Sequence, residues 1–259
     1  HDIIVRLAEF GGGVAGGASV AARVRRLDEE AQVVMFERGP HVSFSNCSLP
    51  FFLSRTVEES DDLVLMDPQQ FKKQYNIDAR VNHEVLAIDR AGKTITVKDL
   101  ATGQTTQEAY DKLVLSPGAV PVMPRSIEGI DGPNVFSVRN VVDIRKLDDY
   151  LTANKVQDIA VVGGGFIGVE VTENLRLAGK NVSLIEAMDQ IMAPFDYDMV
   201  QILHKEMLDH GVKLILSDGV KKIDATQVEL QSGKKVAAQA VVMAIGVRPE
   251  TELAKASGL

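Results

Sequence analysis

The chain has 259 residues, enough for two domains that each bury a core. Its 45% apolar and 25% charged residues are the balance of a soluble globular protein, and its net charge of −8 argues against a general nucleic-acid or anionic-membrane surface. No apolar run approaches the ~20 residues of a membrane span, the first residues lack the charged-then-apolar design of a secretory signal, and a single cysteine excludes a disulfide framework, so cytosol is the default compartment.

In chain order, Ile3 to Phe10 has the place of a first strand, but Arg6, Ala8 and Glu9 interrupt it, so either the strand is irregular or this end is not native sequence. Gly12-Gly13-Val14-Ala15-Gly16-Gly17 then opens an Ala- and Arg-rich helical stretch from Ala18 to Leu27. Gln32 to Phe36 reads as a buried strand ending at Glu37. Asn82 to Val97 carries strand-like alternation with a turn at Asp89 to Lys93. Leu113-Val114-Leu115 is an apolar strand running into the small-residue turn Ser116-Pro117-Gly118, and Pro121 and Pro124 suit a crossing between domains.

The pattern then repeats. Asp158 to Val162 is a strand leading into Gly163-Gly164-Gly165-Phe166-Ile167-Gly168. A helix follows to about Ala178, Gly179 closes it, and Asn181 to Ile185 is the next strand, ending at Glu186. Asp196 to His210 reads as an amphipathic helix stopped by Gly211 before a strand from Val212 to Leu216. Val241 to Met243 forms a last apolar strand, with Gly246 in the turn beyond it.

Each copy is a strand–Gly turn–helix–strand–acid unit. Glycine permits the tight turn and lets backbone approach a pyrophosphate, which rests on the helix N-terminus. The acid about 20 residues on accepts hydrogen bonds from ribose hydroxyls. One such turn with nothing bound is a common feature of α/β folds; two in the correct strand context argue for two dinucleotide sites. The second copy matches Gly-x-Gly-x-x-Gly fully, whereas the first has Val14 in the middle Gly place.

Cys47, the only cysteine, sits in Ser43-Phe44-Ser45-Asn46-Cys47-Ser48-Leu49-Pro50. A lone thiol is usually inert packing. Here its polar neighbours are poor core residues, and Pro50 suits the first turn of a helix, so Cys47 lies just ahead of a helix N-terminus, which favours the thiolate. Without a second cysteine, redox work must run through a mixed disulfide with a substrate thiol, a persulfide or a sulfenic acid.

Two dinucleotide folds with Ser-Phe-x-Asn-Cys-x-Leu-Pro resemble the flavin-dependent pyridine nucleotide-disulfide oxidoreductases, in their single-cysteine branch of coenzyme A-disulfide reductases, NADH-dependent persulfide reductases and NADH oxidases and peroxidases. The resemblance implies an α/β chain of two Rossmann-like domains: the first part of an FAD domain over 1–122, an NAD(P)H domain inserted over 123–246, and a return to the FAD domain over 247–259. It also implies a homodimer in the full-length parent, built through a dimerisation domain that these residues do not include, so that this chain alone is expected to hold flavin weakly and to be inactive.

Residue by residue, the resemblance places Gly12, Val14, Ala15 and Gly16 at the FAD pyrophosphate and Glu37 on the adenosine ribose. Arg38 and the backbone of Val85 fall near the adenine, and Ser116 to Gly118 near the flavin. Gly163, Gly165, Phe166, Ile167 and Gly168 would hold the nicotinamide dinucleotide, with Glu186 on its ribose and Glu170 and Gly246 near the nicotinamide. An acid at 186 with no arginine directly after it favours NADH over NADPH, without excluding the latter. Ser19, Arg23, Arg26, Ser43 and Asn46 fall where coenzyme A is held; Arg23 and Arg26 share a helix face and equally suit a solvated one. Family peroxidases and many oxidases place a histidine where this chain has Ala15, which shifts the expectation to disulfide or persulfide reduction at Cys47. An oxidase or peroxidase working through Cys47 sulfenic acid is the alternative enzyme, and a non-catalytic dinucleotide-binding redox sensor or carrier the alternative of another class. A small thiol or disulfide is the expected partner, and no metal site, nucleic acid or membrane is expected.

Overall fold

The computed structural model describes residues 2–10 and 13–259. β1 (Asp2–Phe10) leads to α1 (Gly13–Leu27) and β2 (Gln32–Phe36). β3 (Ser43–Phe44) is followed by a 3₁₀ turn over Asn46–Ser48, α2 (Leu49–Leu53), β4 (Val64–Met66) and α3 (Pro68–Tyr75). Asp67 caps α3 by accepting the Gln70 N–H at 2.7 Å, while the Gln70 side chain returns a bond to the Asp67 N–H, so two orphan donors are satisfied at once. β5 (Asp78–Arg80), β6 (His83–Asp89), β7 (Thr94–Asp99), β8 (Thr105–Ala109) and β9 (Lys112–Pro121) complete the first half.

β10 (Val135–Phe136) and α4 (Val141–Ala153) precede the second repeat, β11 (Asp158–Val162), α5 (Phe166–Leu177) and β12 (Asn181–Ile185). The chain continues through α6 (Tyr197–Asp209), β13 (Lys213–Ile215), β14 (Val220–Ile223), β15 (Gln227–Leu230), β16 (Lys235–Ala237), β17 (Ala240–Met243), β18 (Val247–Pro249) and α7 (Glu252–Ala256).

Contacts divide the chain into two units, His1–Asn46 with Val64–Val120 and Arg248–Leu259, and Cys47–Leu63 with Pro121–Val247. Residues 47–63, expected with the first domain, thus group with the second. In the first unit the described residues form a five-stranded sheet of order β18-β9-β1-β2-β5, in which β9, β1, β2 and β5 run parallel. The second unit has its own parallel sheet of order β10-β17-β11-β12-β13. In both, the third, second and first strands are followed by a late strand on the far side of the first. The strand order reverses there, between β1 and β9 and between β11 and β17, and ligands of doubly wound sheets bind at the carboxyl ends beside that switch point.

Buried aliphatics hold each sheet to its helices. Val33, Met35, Ile77 and Phe71 share one core with the inner face of α1 through Ala21. Ala160, Val162, Ile185 and Val241 pack in the second unit against Val228, Leu230 and Val236 of the β14–β16 hairpins. Each of the Val, Leu, Ile, Met and Phe side chains among them contributes about 1.5–3 kcal/mol by leaving water.

Two expectations need correction. Ser116-Pro117-Gly118 is not a turn: β9 runs unbroken from Lys112 to Pro121. Its pairing with β1 slips between Leu7 and Phe10, where β1 carries the extra residue, and Gly118 takes φ +71°, so the Pro and Gly continue the strand opposite a bulge in β1. The strand expected over Val212 to Leu216 is only Lys213–Ile215.

Candidate functional site

In the second unit, β11 ends at Val162 and the chain turns through Gly163 at φ +107°. A Cβ on Gly163 would stand 2.5 Å from Ala244 O, at the end of β17, and one on Gly168 would stand 1.9 Å from Gly163 O. These two glycines are therefore demanded by the protein's own packing, which draws α5 down onto the switch point. Gly165 is different. A Cβ there would meet nothing within 4 Å, so no protein neighbour asks for glycine at the N-cap of α5. Gly165 faces a cleft of about 650 Å³ that is also lined by Phe166, Ile167, Glu186, Gly246 and Met192. Gly165 has no side chain to cap the first turn of α5, and among the described residues none supplies a cap, which leaves its N–H groups open to an anion in that cleft.

Glu186 ends β12 at the cleft edge. Its Oε2 accepts the Gly164 N–H at 2.7 Å and its Oε1 accepts the Met188 N–H at 2.8 Å. An ionised carboxylate has about four acceptor sites, so the two oxygens keep capacity for a pair of ribose hydroxyls. These features fit a dinucleotide: a bare Gly turn for the pyrophosphate, an uncapped helix end and an anchored acid. Glu170, on α5, is pushed above the usual carboxylate range by burial and then by the neighbouring charge of Glu173.

Sequence reasoning missed the loop that forms the opposite wall. Met192 N–H donates to Gly164 O at 2.7 Å, and a Cβ on Gly164 would meet Ile191 at 2.5 Å. His204 of α6, 7% exposed, accepts the Ile191 N–H on Nε2 at 3.3 Å, and burial lowers its pKa. The available signal was the apolar run Ile191-Met192-Ala193-Pro194 directly after the acid-ending strand.

In the first unit, Gly12 lies outside the described residues, while Val14, Ala15 and Gly16 fall in the first turn of α1. A Cβ on Gly16 would stand 3.3 Å from Ser116 Oγ, so α1 and β9 approach closely at the switch point, with Gly118 just beyond. Glu37, 3% exposed, follows β2, and its Oε1 accepts the Gly39 N–H at 2.7 Å. Its carbonyl takes the His83 N–H at 2.9 Å, which brings β6 with buried Val85 alongside. Arg38 pairs with Glu84 of the same strand at 3.0 Å. Glu37, Arg38 and Val85 are thus gathered at one end of the sheet and Gly16, Ser116 and Gly118 at its switch point, an arrangement that fits a second dinucleotide such as FAD.

Ser19, Arg23 and Arg26 are exposed along one face of α1, and neither guanidinium has a hydrogen bond or ion pair among the described residues. Arg25, between them, is a structural clamp instead, donating to Tyr75 O at 2.8 Å and Asn76 O at 3.0 Å. α1 packs on β3, where Ser43 is buried, and β3 leads through Asn46 into the turn that carries Cys47. Cys47 is exposed and free, directly ahead of α2, whose first turn contains Pro50.

The family model for pyridine nucleotide-disulphide oxidoreductases matches residues 10–259. The chain belongs to this family. It is 32% identical over 248 residues to a coenzyme A disulfide reductase of Staphylococcus aureus strain JH9, covering 96% of this chain and 56% of that one. The crystal structure of reduced Bacillus anthracis CoADR-RHD superposes with a TM-score of 0.95 at 43% identity, covering 99% of this chain and 46% of that chain. The structure of an NAD-dependent persulfide reductase from A. fulgidus gives a TM-score of 0.93 at 30% identity, over 100% of this chain and 48% of that chain. The chain thus spans about half the length of the relatives it matches. As a pyridine nucleotide-disulphide oxidoreductase it carries both dinucleotide folds of the family, one in each unit.

Proposed function

We propose that this chain is the electron-transfer part of a flavin-dependent NAD(P)H:disulfide oxidoreductase acting on a coenzyme A-like disulfide or persulfide. The observation that carries the reading is the exposed Cys47 as the sole thiol, in a chain whose relatives are named for disulfide and persulfide reduction.

The first unit is assigned to FAD, with Gly12, Val14, Ala15 and Gly16 at the pyrophosphate, Glu37 at the ribose, Arg38 and Val85 at the adenine, and Ser116 and Gly118 toward the flavin. The second is assigned to NADH, with Gly163, Gly165, Phe166, Ile167 and Gly168 holding the dinucleotide, Glu186 at the ribose, and Glu170 and Gly246 toward the nicotinamide. Bound FAD supplies the two-electron relay between NADH and Cys47. The chain's own residues do the rest. The Cys47 thiolate attacks one sulfur of the disulfide, forming a mixed disulfide and releasing one thiolate, which takes a proton from water. Two electrons then cleave the mixed disulfide, regenerating the Cys47 thiolate and releasing the second thiol with one proton. Ser19, Arg23 and Arg26 hold the nucleotide phosphates of the substrate, and Ser43 and Asn46 shape the pocket ahead of the thiol.

The test is anaerobic rapid mixing of the full-length protein. NADH should bleach the flavin absorbance and coenzyme A disulfide should restore it in wild type, while Cys47→Ser keeps the first phase and loses the second. Restoration by the disulfide in Cys47→Ser would overturn the assignment.

A further inference from the structure

The segment beginning at Cys47 is moored to the helix that starts at the dinucleotide cleft. α2 packs on α5 and α4. Just past α2, Ser54 Oγ lies 2.7 Å from Oδ1 of Asn174, a fully buried residue of α5 whose Nδ2 donates to Glu170 O at 2.8 Å. A buried asparagine in a helix of apolar periodicity is costly unless satisfied, and Ser54 is the partner its Oδ1 has.

Arg55 adds a second mooring. It adopts φ +62°, a left-handed backbone that a non-glycine residue rarely takes. In that conformation its guanidinium donates to Phe52 O at 2.8 Å and to both carboxylate oxygens of Asp148 on α4 at 2.9 Å. The far end of the segment is held too, by Arg145 of α4, which donates to Ser60 Oγ at 2.6 Å and pairs with Asp61. Asn174 lies roughly two turns along α5 from Phe166 at the cleft. One rigid helix therefore carries the open N-terminus at one end and the anchor of the Cys47 segment further along.

We propose that Ser54 and Asn174, with Arg55 and Asp148, are positioning residues that couple the Cys47 turn to α5, so that dinucleotide seated at the N-terminus of α5 changes the reactivity of the Cys47 thiol. The proposal rests on the reading of that cleft as a nicotinamide dinucleotide site. Coupling of this kind is reciprocal for equilibria: a reversible modification of Cys47, such as a mixed disulfide, changes dinucleotide affinity by the factor by which dinucleotide changes the equilibrium constant of that modification.

The experiment measures the rate of Cys47 alkylation by iodoacetamide, followed by intact mass on the full chain, with and without saturating NAD⁺, which donates no hydride. Calorimetry gives the NAD⁺ affinity of each variant. NAD⁺ should change the wild-type alkylation rate by about fivefold or more. Ser54→Ala should bring that ratio to about one with NAD⁺ affinity little changed, Ser54→Thr should keep the ratio, and Arg55→Lys should reduce it. An unchanged ratio in Ser54→Ala means that NAD⁺ shields the thiol directly and overturns the proposal, as does a wild-type ratio of one with NAD⁺ bound. Failure of NAD⁺ to bind wild type overturns the dinucleotide reading itself, and the coupling with it.

Discussion

Glu186 at the end of β12 and Gly164 in the glycine turn after β11 are joined by a 2.7 Å hydrogen bond from the Gly164 N–H to Oε2. The acid that would read the ribose therefore also fixes the turn that would hold the pyrophosphate. Replacing it has two consequences of opposite sign for two cofactors. Glu186→Ala removes the charge that repels a 2′-phosphate, and it frees the Gly164 and Met188 N–H groups. kcat/KM for NADH should fall while the NADPH-to-NADH ratio rises about tenfold, on the order of 1.4 kcal/mol. A wild-type protein that already prefers NADPH would show that the acid has another role.

Gly168 is fixed by sterics alone. A Cβ there would stand 1.9 Å from Gly163 O, a backbone atom that cannot rotate away. Gly168→Ala must lift α5 off the end of β11, at a cost of about 1–3 kcal/mol of overpacking strain. Thermal unfolding should show a lower midpoint, with NAD⁺ affinity reduced alongside it. Gly165→Ala, where a Cβ meets nothing, should leave the midpoint near wild type and weaken NAD⁺ binding only.

The difference between these glycines marks what was legible in the sequence. Repetition of strand, glycine turn, helix, strand and acid located both sheets, because alternation, caps and turns are local. Asn181–Ile185 and Asp158–Val162 have the bounds their apolar runs predict. Ser116-Pro117-Gly118 misled because its turn composition is accommodated by slippage against β1, a non-local pairing that β9 alone cannot reveal. The grouping of Cys47–Leu63 with the second unit follows the packing of α2 on α4 and α5, which the bonds Ser54–Asn174 and Arg55–Asp148 accompany. Those partners lie far apart in sequence, and no spacing rule joins them. The bond from the Ile191 N–H to His204 likewise joins a loop to α6 and is visible only with the loop in place.

Arg23 and Arg26 have no partner among the described residues, so substituting them removes no bond within that set. Arg23→Ala and Arg26→Ala should each raise KM for coenzyme A disulfide by about 10- to 100-fold, the worth of a charge-assisted bond to phosphate. kcat with a small disulfide lacking phosphates should be unchanged. Arg25→Ala, which breaks the clamp on Tyr75 and Asn76, should instead lower the unfolding midpoint. Equal KM values for all three variants would remove α1 from the substrate site.

His204 supplies a pH dependence whose sign follows from its burial. Its folded pKa is depressed below the ordinary 6.5 by desolvation, so the native state favours the neutral ring that accepts from the Ile191 N–H. Between the depressed value and 6.5 the unfolded chain binds more protons than the folded one, so stability rises with pH there. The contribution is complete above 6.5 and is lost as pH falls through the depressed value. Protonation converts the acceptor into a donor facing another donor, which loosens the Ile191 to Pro194 wall of the cleft. NAD⁺ affinity and the unfolding midpoint should therefore both decline on acidification below about 6.5. In His204→Gln, which keeps an acceptor and cannot titrate, that decline should be flattened. A wild-type affinity that holds constant through this range would show that the His204–Ile191 bond does not support the cleft.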